Sequence, residues 1–442
     1  MTYHEAIARL EGLQMFGAKP GLERTRQLAA AVGNPQNRLR FIHVAGTNGK
    51  GSTCAMLESM YRQAGLRVGL FTSPHLVAFA ERIQVNRRLI PEADVVRLVA
   101  EIQPHWERLS GEDHPTFFEV VTVMAMRYFA EQQCDLVIWE TGLGGRLDAT
   151  NIVQPLASLI TNIQYDHQKW LGNTLAQIAA EKGGIIKPGV PVLTATDATD
   201  ALSVIRGLAR NQRAPLWEIT RADAGTGLAA TTKLPLLGEH QKLNAALALA
   251  TVRLLQPSIP VTEAQQKAGL ETVHWPGRLQ QVLRLNGQTL WLDGAHNLGG
   301  VATLCAALIA LSPTRKPALI LGILRDKDWV DMCRLLAPVA ARVLVVQVCS
   351  ERTASAAELQ AVCQSANPAV TISSHPNLSA ALRAAETEPF VVIAGSLYLI
   401  GEAMELLGLS PTLAVNERGL NEWGGTPIRR ETGPLKQEKS MV

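Results

Sequence analysis

The chain lacks the features that announce a macromolecular partner. Its 442 residues carry 42 Lys and Arg against 39 Asp and Glu, a net charge of only +3. So small an excess gives no field to draw in nucleic acid or an anionic membrane surface. Aromatic residues make up 5% of the chain, which also argues against base stacking. The six cysteines (Cys54, Cys134, Cys305, Cys333, Cys349, Cys363) are scattered, with no C-x-x-C pair. That excludes a zinc or disulfide framework and predicts small buried thiols in a reducing compartment. No apolar run reaches the roughly 18 residues of a membrane helix. The first ten residues lack the basic and then apolar layout of a secretory signal. The expectation is a cytoplasmic protein of two or three domains, with no nucleic acid and no membrane as partner.

What is present starts with His43-Val-Ala-Gly-Thr-Asn-Gly-Lys-Gly-Ser52. The apolar Leu39-Arg-Phe-Ile leads into it, and the helix-like Thr53-Cys-Ala-Met-Leu-Glu-Ser-Met-Tyr-Arg62 follows. Strand, glycine-rich turn and helix make a phosphate cradle. Through Gly46, Thr47, Asn48, Gly49 and Gly51 the backbone can approach phosphate oxygens, the helix dipole faces the anion, and Lys50 adds a full charge. The spacing departs from G-x-x-x-x-G-K-[ST], because no glycine lies five residues before Gly49 and Gly51 follows the lysine. The first hydroxyl in reach of a magnesium ion is then Ser52. The bland alternative is a glycine turn with a surface lysine.

Strand-like runs alternate with helical patterns, which predicts an α/β fold with a wound parallel-type sheet. Strands are expected over 41–45, 68–72, 136–139, 157–163 and 190–194, and helices over 93–107, 118–131, 176–182 and 240–254. A Pro-Gly turn at Val273-His-Trp-Pro-Gly-Arg278 breaks the series. Beyond it, strands 280–285, 289–292, 318–321, 342–348 and 390–394, with helices 299–311, 329–336 and 397–407, predict a smaller α/β domain. The expected division is 1–275, 276–409 and a mobile Pro-, Gly- and charge-rich tail over 410–442.

Ligands of open α/β sheets sit outside the carboxyl ends of the strands. The residues there are the phosphate loop, then Thr72-Ser73-Pro74-His75, then Glu140, then Asn162 and Asp166-His167. One carboxylate with hydroxyls and phosphate oxygens suits magnesium. Alone, Ser73 reads as a turn, Glu140 as a cap and His167 as a structural histidine; together on one rim they read as a nucleotide–metal site. Lys182 shares an apolar helical stripe with Leu175, Ile178, Ala179 and Ile186. Such a lysine either lays its stem on apolar surface with the ammonium in solvent, or is paired or altered. Around the domain break, Asn244 opens an alanine-rich helix, Arg278 follows the Pro-Gly turn and Asp293-Gly-Ala-His296-Asn297 ends a strand. Asp293 could hold a ribose hydroxyl, with Arg278 and His296 facing phosphates across a cleft; equally, Asp293 could brace a turn and Asn297 cap a helix.

These stretches, with Gly142-Leu-Gly-Gly-Arg-Leu-Asp-Ala-Thr-Asn151, Trp170-Leu-Gly172, Glu181-Lys-Gly-Gly-Ile-Ile-Lys187 and Gly395-Ser-Leu-Tyr-Leu-Ile-Gly401, resemble in order the folylpolyglutamate synthase/dihydrofolate synthase family of Mur-ligase-like ATP-dependent amide ligases. The resemblance covers nearly the whole chain to about residue 409. It implies an N-terminal P-loop ATPase domain like the Mur ligase central domain and a C-terminal Rossmann-like domain. It implies ATP and two Mg2+ ions held by Ser73, Glu140, His167 and a carbamylated Lys182. It further implies nucleotide contacts from Asn244, Arg278 and Asp293, and a catalytic set of Lys50, Lys182 and His296. Thr141 stands where the family usually has valine and Gly183 where it has alanine; neither change removes a functional group. The Gly-Gly-Arg146-Leu-Asp-Ala-Thr form resembles bifunctional bacterial members.

The implied reaction joins L-glutamate to dihydropteroate and to the γ-carboxyl of tetrahydrofolate or folylpolyglutamates, through an acyl phosphate, in a monomer. Three rivals stand beside it: folylpolyglutamate synthase activity alone, a different Mur-type amino-acid ligase, and a non-enzymatic ATP-responsive module. The last has no need of Glu140, His167 and Lys182 together.

Overall fold

The computed structural model describes residues 1–17, 19–109, 111–412 and 417–422. Nearly continuous apolar runs become central strands buried on both faces. Eight strands among the described residues, β1 (Phe41–Ala45), β2 (Val68–Phe71), β3 (Ile83–Val85), β4 (Arg88–Leu89), β5 (Leu136–Glu140), β6 (Ala157–Ile160), β7 (Val192–Thr194) and β8 (Leu216–Glu218), form one sheet in the order β4-β3-β2-β5-β1-β6-β7-β8. The run from β2 to β8 is parallel, and β3 and β4 extend it as an antiparallel edge that the sequence reading did not anticipate. β1 lies between β5 and β6, so the chain crosses over it, and the carboxyl ends of three neighbouring strands open one crevice.

Side chains alternate between faces along each strand. Phe41 of β1 joins Phe71, Phe129 and Trp139 in a core covered by helices Glu92–Trp106 and Phe117–Glu131. Ile42 and Val44 face the other way, into a core covered by helices Lys50–Gln63 and Glu239–Leu255. Gly269 is required where helix Glu263–Glu271 crosses the first of these: a Cβ there would lie 2.6 Å from Met60 Cα.

A second sheet contains β9 (Gln280–Leu283), β10 (Thr289–Asp293), β11 (Ala318–Leu321), β12 (Arg342–Val346), β13 (Thr371–His375) and β14 (Phe390–Ala394), in the order β13-β12-β11-β14-β10-β9. Only β9 runs antiparallel to its neighbour. Its two faces carry separate apolar cores.

Several strands stop short of their expected ends. β6 ends at Ile160 and not at 163, because Asn162 turns to accept backbone N–H groups of the glycine loop. Glu140 is the last residue of β5, still on the ladder. Five cysteines are buried, as free thiols, but Cys349 is exposed, which corrects its expected burial. The composition of 410–442 predicts a mobile tail, and residues 417–422 correct that. Glu417–Asn421 form a 3-10 turn in which Glu417, Arg418, Leu420 and Asn421 are buried. Of the rest of that stretch, 413–416 and 423–442 lie outside the described residues. No helix among the described residues is long and apolar enough to cross a membrane.

Candidate active site

The crevice is built on contacts that only glycine permits. A Cβ on Gly46 would lie 1.9 Å from Thr161 Oγ1, and one on Gly49 2.6 Å from Asn244 Oδ1. Gly49 also has φ of +83°, in the left-handed region that favours glycine. The compacted turn is bonded to the exit of β6. Thr47 N donates to Asn162 O (2.9 Å), Asn48 N donates to Asn162 Oδ1 (2.8 Å), and Thr161 Oγ1 donates to Asn48 O (2.7 Å). No side chain caps the following helix at Gly49, so its first N–H groups are directed at the turn, the arrangement that receives an anion. Behind the loop, Gln241 Nε2 donates to Ser52 Oγ (3.2 Å), and Asn244 Nδ2 donates to Gln241 Oε1 (3.0 Å). Asn244 therefore backs the loop directly. Gln241 escaped the sequence reading; its only signal is its position one helical turn before Asn244.

Opposite charges meet beneath the loop. Lys50 Nζ lies 3.9 Å from Glu140 Oε1, and Ser73 N donates to Glu140 Oε2 (3.1 Å). Glu140 is buried. Burial pushes its carboxyl pKa up, and Lys50 opposes that. Among the described residues no group of three or more His, Cys, Asp and Glu could hold a metal ion. The donors present, one buried carboxylate and the serine beside it on the phosphate loop's rim, fit a magnesium ion that completes its shell with water and phosphate.

Lys182 stands on helix Leu175–Gly183, which starts at a capping box of Thr174 and Gln177. The solvent-seeking alternative is corrected: Lys182 is 5% exposed, and its Nζ donates to Gly46 O at 2.8 Å. Burial, reinforced by Lys50, lowers its pKa to about 7. His167 lies on the same rim but is exposed, with a left-handed φ of 52°. At Thr141 the backbone N–H bonds Val44 O, while the buried hydroxyl has no hydrogen-bond partner. At Gly183 a Cβ would meet Leu208 Cδ1 at 2.5 Å, so the space an alanine methyl fills is taken by Leu208.

The second sheet supplies the facing wall. Asn297 caps helix Leu298–Leu311 by accepting Gly300 N (2.8 Å). It also exchanges hydrogen bonds with Asn48 of the loop, accepting at 3.0 Å and donating at 3.1 Å, and donates to Asp166 Oδ2 at 2.9 Å. Lys327 Nζ donates to Asp166 Oδ1 at 2.7 Å, a pair with side chains only 10% and 9% exposed. His296 Nδ1 is 2.7 Å from Gly294 O, and its Nε2 is 4.0 Å from Asp166 Oδ2. Burial, then Lys327, hold His296 near pKa 4, hence neutral. The Asp293 carboxylate braces the turn, its oxygens accepting Leu279 N (2.8 Å) and Ala295 N (2.9 Å). Arg278 donates to Gly277 O (3.0 Å) and passes over Gly294, where a Cβ would lie 2.3 Å from its Nη1.

Lys327 gave no sequence signal, since a lone surface-type lysine reads as solvated. Its burial against Asp166 leads to a prediction. Lys327→Met is expected to destabilise the protein by about 3 kcal/mol in denaturant unfolding, because it strands a buried carboxylate. Adding Asp166→Asn should recover much of the loss; equal instability in both proteins would show that the uncompensated charge is not the cause.

Comparison with known proteins follows the same two-part division. The Mur ligase middle domain family matches residues 44–252, and the Mur ligase glutamate ligase domain family matches residues 277–397. A dihydrofolate synthase/folylpolyglutamate synthase of Bacillus subtilis is 36% identical over 92% of this chain and 99% of its own. The structure of E. coli FolC in complex with DHPP and ADP is similar with a TM-score of 0.80 and 30% identity, over 92% of this chain and 98% of that one. A Mycobacterium tuberculosis folylpolyglutamate synthase complexed with ADP and AMPPCP gives a TM-score of 0.84 at 28% identity, over 93% and 100%. With both family domains matched in order and the relatives aligned over more than nine-tenths of this chain, the chain belongs to the folylpolyglutamate synthase/dihydrofolate synthase family of Mur ligases, ATP-dependent amide-forming ligases.

Proposed function

We propose that the protein adds L-glutamate to dihydropteroate and to the γ-carboxyl of tetrahydrofolate and its polyglutamates, using ATP and an acyl-phosphate intermediate. The observation that carries this reading is the meeting of the glycine loop, buried Glu140 and the Asn297–Lys327 wall of the glutamate ligase domain at one crevice. A carboxylate has no good leaving group. Attack of its oxygen on the γ-phosphorus releases ADP and leaves an acyl phosphate. The glutamate amine then attacks the acyl carbon, loses a proton and expels phosphate, forming the amide.

Phosphoryl transfer asks the protein mainly for position and charge neutralisation. The loop from Gly46 to Ser52 would hold the phosphates, with Asn244 behind it and Arg278 and Asp293 at the nucleotide's edge. Lys50 would neutralise the transferring group, and neutral His296 is the candidate donor at the γ-phosphate. Magnesium, in one or two ions, would be held by Ser73, Glu140, His167 and a carbamylated Lys182, and would shield phosphate charge. Both walls of the crevice come from one chain, which supports a monomer.

The test is ADP release by the purified protein with product masses. Release stimulated by dihydropteroate plus glutamate, and by tetrahydrofolate plus glutamate, each product gaining one glutamyl unit, is expected. Stimulation by tetrahydrofolate alone would leave a folylpolyglutamate synthase. Stimulation by neither would overturn the substrate assignment.

A further inference from the structure

The 417–422 segment has little apolar reason to be ordered, since Leu420 is its only buried large apolar side chain. Polar contacts hold it, and they converge on the loop that follows β2. In that loop Arg82 and His75 are buried at 3% and 2% exposure. A buried guanidinium needs acceptors. Arg82 Nε donates to His75 Nδ1 (2.8 Å), and Nη2 donates to Asn421 Oδ1 (2.6 Å). Asn421 Nδ2 donates to His75 O (3.0 Å), and His75 Nε2 donates to Glu417 O (2.9 Å). Glu417 Oε2 accepts Phe79 N (2.6 Å) and the Tyr3 hydroxyl (3.2 Å). His75 is two residues from Ser73, whose N–H bonds Glu140.

The other end of the segment holds the second sheet's loops. Glu422 accepts from Ser350 Oγ (2.5 Å) and Arg352 Nε (2.8 Å). Arg352 Nη1 in turn donates to Asp326 Oδ2 (3.0 Å), the neighbour of Lys327. Leu76 and Val77 of the β2 loop pack in the second sheet's core, and Leu76 O approaches so closely that a Cβ on Gly401 would lie 2.1 Å from it.

We propose that residues 417–422 are a positioning strap. They set the backbone of the loop bearing Ser73 against Glu140, and they tie that loop to the wall bearing Lys327. Asn421 is the central residue, because it alone bridges the Arg82 guanidinium and the His75 carbonyl. The consequence for catalysis rests on the ligase reading above; the consequence for the loop's order does not.

The experiment measures hydrogen–deuterium exchange of the 72–82 backbone, together with steady-state kinetics, in full-length Asn421→Ala, Asn421→Asp and Glu422→Gln. Asn421→Ala is expected to speed exchange in 72–82 about tenfold or more, and to lower kcat about tenfold with KM for ATP within about twofold. Asn421→Asp keeps the acceptor for Arg82 but loses the donor to His75 O, so it should restore part of both. Glu422→Gln weakens only the far end and should give a smaller loss of the same kind, with unchanged melting temperature. Wild-type exchange and kcat in Asn421→Ala and Glu422→Gln would overturn the strap. So would a loss that follows melting temperature and is not restored by aspartate. If the wild-type protein itself shows no folate-stimulated turnover, the ligase reading fails, and exchange alone decides the strap.

Discussion

Lys50→Ala is expected to abolish turnover, by about a thousandfold or more, while the fold persists. Two effects combine. The ammonium stands at the turn where phosphate charge gathers, and no uncharged side chain replaces it. It is also the largest opposing influence on Glu140, whose carboxyl burial already drives toward its neutral form. Removing Lys50 pushes that carboxyl further up, which would weaken the same residue in its proposed role as a magnesium ligand. The fold should survive, because Lys50 is partly exposed and its ammonium contacts are long ones, 3.4 Å to Thr47 O and 3.9 Å to Glu140 Oε1. The check is ADP release with saturating substrates, beside thermal unfolding. Near-normal turnover would remove the loop from the mechanism. Lys50→Arg separates the two effects: it keeps a charge near Glu140 but changes its placement, so it should retain ordered structure and recover only part of the rate.

How much of this was legible depends on the range of the interaction that carries each feature. The glycine loop, the strand-end residues Ser73 and Glu140, and the apolar stripe under Lys182 are written in local spacing, and local spacing survives in a single sequence. The β3–β4 edge was not legible, because Ile83–Val85 and Arg88–Leu89 are too short to show a period. Asp166 with Lys327 and Arg82 with Asn421 pair residues 161 and 339 positions apart, and neither partner's neighbours foretell the other. Within the 410–442 stretch, residues 417–422 escaped the sequence for a related reason. The stretch's average composition describes a solvated chain, whereas the six residues 417–422 are held one by one through polar atoms on distant loops. Asp293 illustrates the reverse limit: its place at a strand end was plain, but whether its oxygens serve a ligand or a turn depends on where Leu279 N and Ala295 N lie.

Lys182→Ala should remove most activity, by about a hundredfold or more, and a short carboxylate such as formate or acetate in the buffer should restore part of it. The reason lies in the sign of the charge at that site. As an ammonium, Lys182 is buried, is repelled by Lys50 and has Gly46 O as its hydrogen-bond acceptor. A buried cation beside another cation is unfavourable. If the neutral amine attacks carbon dioxide and releases one proton, the side chain ends in a carbamate carboxylate. Repulsion from Lys50 then becomes attraction, and a second anionic oxygen pair joins Glu140 on the rim of the phosphate loop. Native intact-mass measurement should find the added carbon dioxide on the wild-type protein and not on Lys182→Met. An unmodified amine in protein of full activity would sink the carbamate. Loss of activity without any carboxylate rescue, together with an unmodified wild-type mass, would leave Lys182 as a buried support for Gly46 and nothing more.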